Sequence, residues 1–199
     1  MSFHTDVDID LGDREKLLKV IEHIPAAMRK VNPIRKHNTG VYITKIPYDA
    51  YYDMATLDYV EAEERGYFKL DLLNVWLYQH VNSEEHLKYL MREPDWNMLK
   101  DKEVFKKLIH IANHWFSATA MPEPIDTIPR LAMFLAIIRP AKRHLVGKSW
   151  REVAETVWVA EAEEYSFKKS HAVAYANLVV VHMNLLKENP DLNTFVLPE

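Results

Sequence analysis

Cysteine is absent from the 199 residues, which excludes a disulfide scaffold, a thiolate metal site and a cysteine nucleophile. Glycine is scarce. Gly12, Gly40, Gly66 and Gly147 stand far apart, and no phosphate-cradling glycine-rich loop can be built from them. Long apolar runs are missing too: the stretches near 131–138 and 172–181 are too short to span a bilayer. Residues 1–5 carry neither the basic nor the apolar region of a signal peptide, so a cytoplasmic protein with no membrane partner is expected. None of the ten histidines falls in an HExxH pair, which leaves a zinc site little support. Positive charge is in deficit, and the formal charge of −4 argues against indiscriminate nucleic-acid binding.

What is present is segregated charge on a chain with 48% hydrophobic residues, enough for one ordinary domain or a domain with a smaller companion. Met28 to His37 holds Arg29, Lys30, Arg35 and Lys36 without an acid, and Arg139 to Lys148 holds Arg139, Lys142, Arg143 and Lys148 without one. Asp53 to Glu64 has five acids and no base. Asp6-Val7-Asp8-Ile9-Asp10-Leu11 alternates acids with apolar residues at the period of a strand, which puts the aspartates on one face. Phe68-Lys69-Leu70-Asp71-Leu72 is a second strand-like stretch with a single acid. If the two strands pair, Asp8, Asp10 and Asp71 converge, and a divalent cation would neutralise them. The same residues also suit a solvated edge strand beside an unrelated acid.

Taken in order, the chain reads as a strand-containing half followed by a helical half. After the first strand, Asp13 caps a helix marked by Leu17, Leu18, Ile21 and Ile24 and stopped by Pro25. Asn32-Pro33 and Asn38-Thr39-Gly40 signal turns, and Val41 to Thr44 a strand. Helices are expected at 73–81, from Ser83 to Met91, and from Lys102 with Val104, Phe105, Leu108, Ile111 and Trp115 on one face. Pro122, Pro124 and Pro129 make 117–128 the expected linker between a domain at 1–116 and a helical region at 129–199. Further helices are expected at 129–138, 150–164 and 171–188. His182 suits a hydrogen-bonded core position, and the tryptophans and methionines suit core filling. Lys168-Lys169-Ser170-His171 suits either an anion-attracting helix start or a solvated cap.

These residues resemble the bacterial C-family DNA polymerase III alpha subunits. Asp6 to Leu11 followed by Asp13-Arg14 is similar to the palm strand with two catalytic acids. Lys36-His37-Asn38-Thr39-Gly40-Val41-Tyr42-Ile43 resembles the family's basic-His-x-x-Gly segment. Asp58, Glu61 to Gly66 and Phe68 to Leu73 resemble the stretch with the third palm aspartate. Ile137-Ile138-Arg139-Pro140 and Tyr165 to Tyr175 resemble two elements of the fingers. The resemblance implies an α+β fold: a small palm-like sheet of the nucleotidyltransferase type, then a mostly helical fingers-like half. It assigns Asp8, Asp10 and Asp71 to catalysis and to Mg²⁺ or Mn²⁺. Lys36, His37, Arg139, Lys142, Lys168, Lys169, Ser170 and His171 would face nucleotide or DNA. The likeness is to a miniature, in which the family's glycine-serine loop, phosphoesterase-like domain, most of the thumb and the C-terminal modules have no counterpart. Ser166 and Asn74 stand where the family has glycine.

The function that this implies is metal-dependent nucleotidyl transfer in DNA replication or repair, completed by a partner chain. A non-catalytic palm–fingers remnant that binds DNA or a replication protein is the alternative. A metal-dependent phosphohydrolase is the third reading of the same acids.

Overall fold

The computed structural model describes residues 6–159, 167 and 169–192, and the chain divides into two compact units, 1–81 and 82–199. Residues 117–128, the expected linker, therefore run inside the second unit. Their Met121 and Ile125 are buried, and the indole Nε1 of Trp150 donates to the carbonyls of Glu123 and Pro124, both at 3.2 Å.

The first unit is built on a mixed four-stranded sheet. Its strands are β1 (Asp6–Leu11), β2 (Ile24–Met28), β3 (Arg35–Tyr42) and β6 (Lys69–Asn74), in the order β1-β6-β3-β2. Between β3 and β6 lies a two-stranded ribbon of β4 (Tyr48–Asp49) and β5 (Met54–Ala55). β1 runs parallel to β6, and β3 antiparallel to β6 and β2. Helix α1 (Arg14–Leu18) starts at Asp13, whose side chain accepts from the Lys16 N–H. It stops well short of Pro25. Ile24–Met28 is a strand instead, because a proline is tolerated at a sheet edge, where its missing N–H costs no ladder bond. Helix α2 (Tyr59–Glu64) is capped by Asp58. Ala26, Ala27, Tyr42, Ile46, Met54, Ala55 and Ala62 form the core under the β2 side of the sheet. Residues 73–81, expected as a helix, continue β6 to Asn74 and then form a short 3₁₀ helix, Trp76–His80.

The second unit is helical: α3 (Glu84–Leu90), α4 (Lys102–Phe105), α5 (Trp115–Thr119), α6 (Ile128–Ile137), α7 (Trp150–Thr156) and α8 (Lys169–Glu188). α6 begins with Thr127 as cap and Pro129 in its first turn, the place where proline fits a helix best. α8 is its central rod; from Leu178 to Leu186 every residue is buried, as expected of a helix packed on all sides. α6 and α3 lie against it. Asn184 donates to the carbonyls of Leu90 and Arg92 at 2.8 and 3.0 Å, satisfying the end of α3. His182 is fully buried and its Nδ1 accepts from the Ile109 N–H at 3.1 Å. The expected helix from Lys102 to Trp115 is broken after Phe105. Its apolar spacing is real, with Phe105, Leu108 and Ile111 all fully buried. The backbone, however, passes through a positive φ of 65° at His110 and a 3₁₀ turn at Ala112–His114. Among the described residues no helix is long and apolar enough to cross a membrane.

Candidate functional site

The parallel register sets Asp8 directly beside Asp71, and Asp10 beside Leu73. Side chains of paired residues share a face, so Asp8, Asp10 and Asp71 all project from the same side of the sheet. Gly40 of β3 is paired with Asp71 from the other flank. The central row across the sheet is thus Asp8, Asp71, Gly40.

The Asp10 and Asp71 carboxylates are in different electrostatic states. Burial and then the neighbouring charge of Asp8 push the Asp10 carboxyl above its ordinary range. Tyr78 lies close enough for the Asp10 charge, added to burial, to raise its phenol. Asp71 is 7% exposed; burial alone would raise it, but the donors on it outweigh burial and hold it low. The Lys69 ammonium contacts Oδ2 of Asp71, and the Thr39 hydroxyl donates to Oδ1 at 2.7 Å. Lys69 is itself 8% exposed, with Nζ 6.0 Å from the centre of the Tyr59 ring. This lysine was missed as a site residue, although a signal exists: Lys69 and Asp71 are two apart on a strand and must share a face.

The turn signal at Asn38-Thr39-Gly40 survives as a bulge. Between the pairs Pro25–Val41 and Ala27–Lys36, β2 advances two residues while β3 advances five. The extra length swings Thr39 and His37 toward Asp71, the kind of re-aiming that bulges provide. His37 Nδ1 accepts from the N–H groups of Gly40 and Thr39, at 2.9 and 3.3 Å, and its ring meets Tyr59 edge-on at 5.0 Å. An Nδ1 that accepts carries no proton, so the 3.7 Å approach to Asp71 is not an ion pair. Burial, followed by the Lys69 charge, lowers the imidazole further into its neutral range.

Two cations of the basic stretch, Arg29 and Lys36, are paired with acids that follow it. Lys36 Nζ reaches Asp53 at 2.6 Å, and Asp53 also accepts from the Tyr48 hydroxyl at 2.6 Å. Arg29 reaches Asp49 at 2.8 Å and the Ala55 carbonyl with two of its nitrogens. Asp58 accepts from the N–H groups of Arg29, Lys30 and Val60, which makes it a structural cap. These two charges, distant from their partners in sequence, are paired in space.

In the second unit, several residues that the resemblance assigns to the fingers meet. The Arg139 guanidinium lies 5.0 Å from the centre of the Phe167 ring, and its Nε is buried with no hydrogen-bond partner among the described residues. Phe167 also contacts the rings of His171 and Tyr175, and His110 stacks on Tyr175 at 4.4 Å. Burial and the Arg139 charge lower His110 to about 4; burial, Arg143 and Arg139 lower His114. The spacing of His110 and His114 is that of a zinc pair on a helix, a signal overlooked in the sequence. The left-handed backbone at His110 takes the two off a common helical face, and neighbouring arginines disfavour a cation there. Lys142 is buried rather than facing solvent, and Lys169 and Ser170 are exposed at the start of α8. Lys168 lies outside the described residues, as do Tyr165 and Ser166.

The fit of a divalent metal follows from these contacts. Among the described residues no group of three or more His, Asp or Glu is arranged to hold an ion. Both oxygens of Asp71 are engaged by Lys69 and Thr39. A metal shared by Asp8, Asp10 and Asp71 does not fit this arrangement; the Asp8–Asp10 edge is the part that attracts a cation, since their mutual repulsion would be relieved. No protein-family model, curated protein or solved structure matches this chain.

Proposed function

We propose that this chain is a DNA polymerase III alpha-like nucleotidyltransferase, acting in DNA replication or repair and completed by a partner chain. The observation that carries this reading is the register that sets Asp8 beside Asp71 on the face that also holds Asp10. Phosphoryl transfer depends on positioning and charge far more than on covalent chemistry by the protein. Mg²⁺ or Mn²⁺ is the cofactor that the reading calls for, drawn to Asp8 and Asp10. The partner is DNA or a nucleotide, met by cations such as Arg139, whose guanidinium packs on the Phe167 ring and has the planar donor fork that suits a phosphate.

A second reading, a non-catalytic module that binds DNA or a replication protein, is favoured by one observation: Asp71 and Lys36 are both already paired within the unit. Calorimetric titration with a deoxynucleoside triphosphate separates the two. The enzyme reading expects binding that requires Mn²⁺ and is lost in Asp10→Asn. Retention of DNA at low salt without triphosphate binding selects the module. Neither kind of binding overturns both.

A further inference from the structure

The acid face contains a cation that belongs to the chain. Lys69 and Asp71 are buried together, and the pair is held from several sides. Gly40 makes the room: a Cβ there would stand 2.8 Å from Cδ of Lys69 and 3.0 Å from Nδ1 of His37. Glycine at this position, where no positive φ requires one, leaves the space that the lysine stem occupies beside β3. The Tyr59 ring lies beside the ammonium, and His37 braces that ring. Thr39 takes the remaining oxygen of Asp71. An acidic side chain, an aromatic ring and a missing side chain together form a site for one monovalent cation, and Lys69 fills it.

We propose that the Lys69 ammonium takes the place of one divalent metal on this face, so that Asp71 is the counter-ion of Lys69 and not a metal ligand. This rests on the reading of the acids as a cation-binding face. A divalent ion could reach Asp71 only by expelling a buried ammonium and shedding water of its own, which Mg²⁺ does reluctantly. A two-metal arrangement needs a carboxylate that bridges or flanks both ions. Here that carboxylate is committed. The face then takes at most one ion, at Asp8 and Asp10, with Lys69 as its fixed positive neighbour.

Electron paramagnetic resonance titration with Mn²⁺ tests this on the full chain. The unaltered protein is expected to bind at most one Mn²⁺, with the stoichiometry unchanged by Asp71→Asn. Lys69→Met frees Asp71 and is expected to tighten Mn²⁺ binding by about tenfold or more, since a carboxylate is added to the site. The gain disappears in Lys69→Met/Asp71→Asn. Two ions on the unaltered protein, loss of the ion in Asp71→Asn, or a folded Lys69→Met with no gain would each overturn the proposal. If Lys69→Met does not fold, the comparison of the unaltered protein with Asp71→Asn decides: a lost ion refutes and an unchanged count supports. Failure of triphosphate binding overturns the functional reading and leaves these stoichiometries standing.

Discussion

Replacing Asp71 by Asn removes one negative charge and leaves the shape of the side chain and an acceptor for Thr39. Lys69 is then an ammonium that is 8% exposed and has lost the carboxylate it contacts. Breaking a buried pair from one side costs about 3–5 kcal/mol. An independent ceiling comes from the alternative of burying the lysine as a neutral amine. An ordinary lysine titrates near 10.4 in water, so deprotonation at pH 7 costs about 4.6 kcal/mol. The Tyr59 face offsets a small part of this, and a loss of about 3 kcal/mol is expected for the first unit. The pH dependence is the sharper test. If the folded variant holds neutral Lys69 while the unfolded chain binds the proton, stability rises with pH by about 1.4 kcal/mol per unit. The penalty should therefore shrink between pH 7 and 9.5. Lys69→Met/Asp71→Asn should recover most of the loss. The assay is urea-dependent amide exchange of β3 and β6, which reports this unit alone. A penalty below about 1 kcal/mol, the range of exposed pairs, or one independent of pH, would show that the ammonium escapes to water and that the pair is not enclosed.

Asp10→Asn should stabilise the metal-free first unit at neutral pH by about 0.5 kcal/mol, because it removes a like-charge contact with Asp8. The sign reverses if Mn²⁺ is bound there, so thermal melts with and without metal check it. Tyr42→Phe should be neutral or stabilising by up to about 1 kcal/mol, since the Tyr42 hydroxyl is buried with no hydrogen-bond partner among the described residues. A clear loss in a denaturant titration would contradict this. His110 has its folded value lowered to about 4, below the ordinary value of 6.5. The unfolded chain takes the proton first, so the stability that neutral His110 supports is complete above about pH 6.5 and falls on acidification, by about 3 kcal/mol at pH 4. Urea melts of the unaltered protein and His110→Asn, whose new residue tolerates the positive φ, should diverge over that window. An imidazole resonance titrating near 6.5 would refute it.

Much of the sheet is legible from period alone. Asp6 to Leu11 and Lys69 to Leu72 alternate, and they pair in the register that brings the aspartates to one face. β2 is not legible in this way. Ile24-Pro25-Ala26-Ala27-Met28 lacks alternation, and its proline reads equally well as a helix stop or an edge-strand residue. The spacing of Phe105, Leu108 and Ile111 reports a buried face correctly, but a face can be assembled from short turns as well as from one helix. The charge of Arg29 and Lys36 is evident in the sequence. Its compensation is not, because Asp49 and Asp53 reach them only through the β4–β5 ribbon, whose two-residue strands leave no periodic trace. The Lys69–Asp71 pair lies between these cases: the shared face follows from spacing, whereas the burial that makes it matter depends on Gly40 and Tyr59 from other elements.

The strand order also bears on how this unit behaves in a crowd. β2 and β1 are the two edges of the sheet, and an unpaired edge is a template for a strand from another molecule. β2 is blunted by Pro25, which has no N–H to offer, and by the shift in pairing beside it. β1 has no proline and no bulge in its pairing with β6, and Val7 on it is exposed. Its guard is electrostatic: a second copy laid along β1 would bring Asp8 and Asp10 against their own counterparts. Neutralising these aspartates to probe the site thus also removes a barrier to edge-to-edge association. A loss of function in such variants is informative only where sedimentation shows the same particle size across protein concentration.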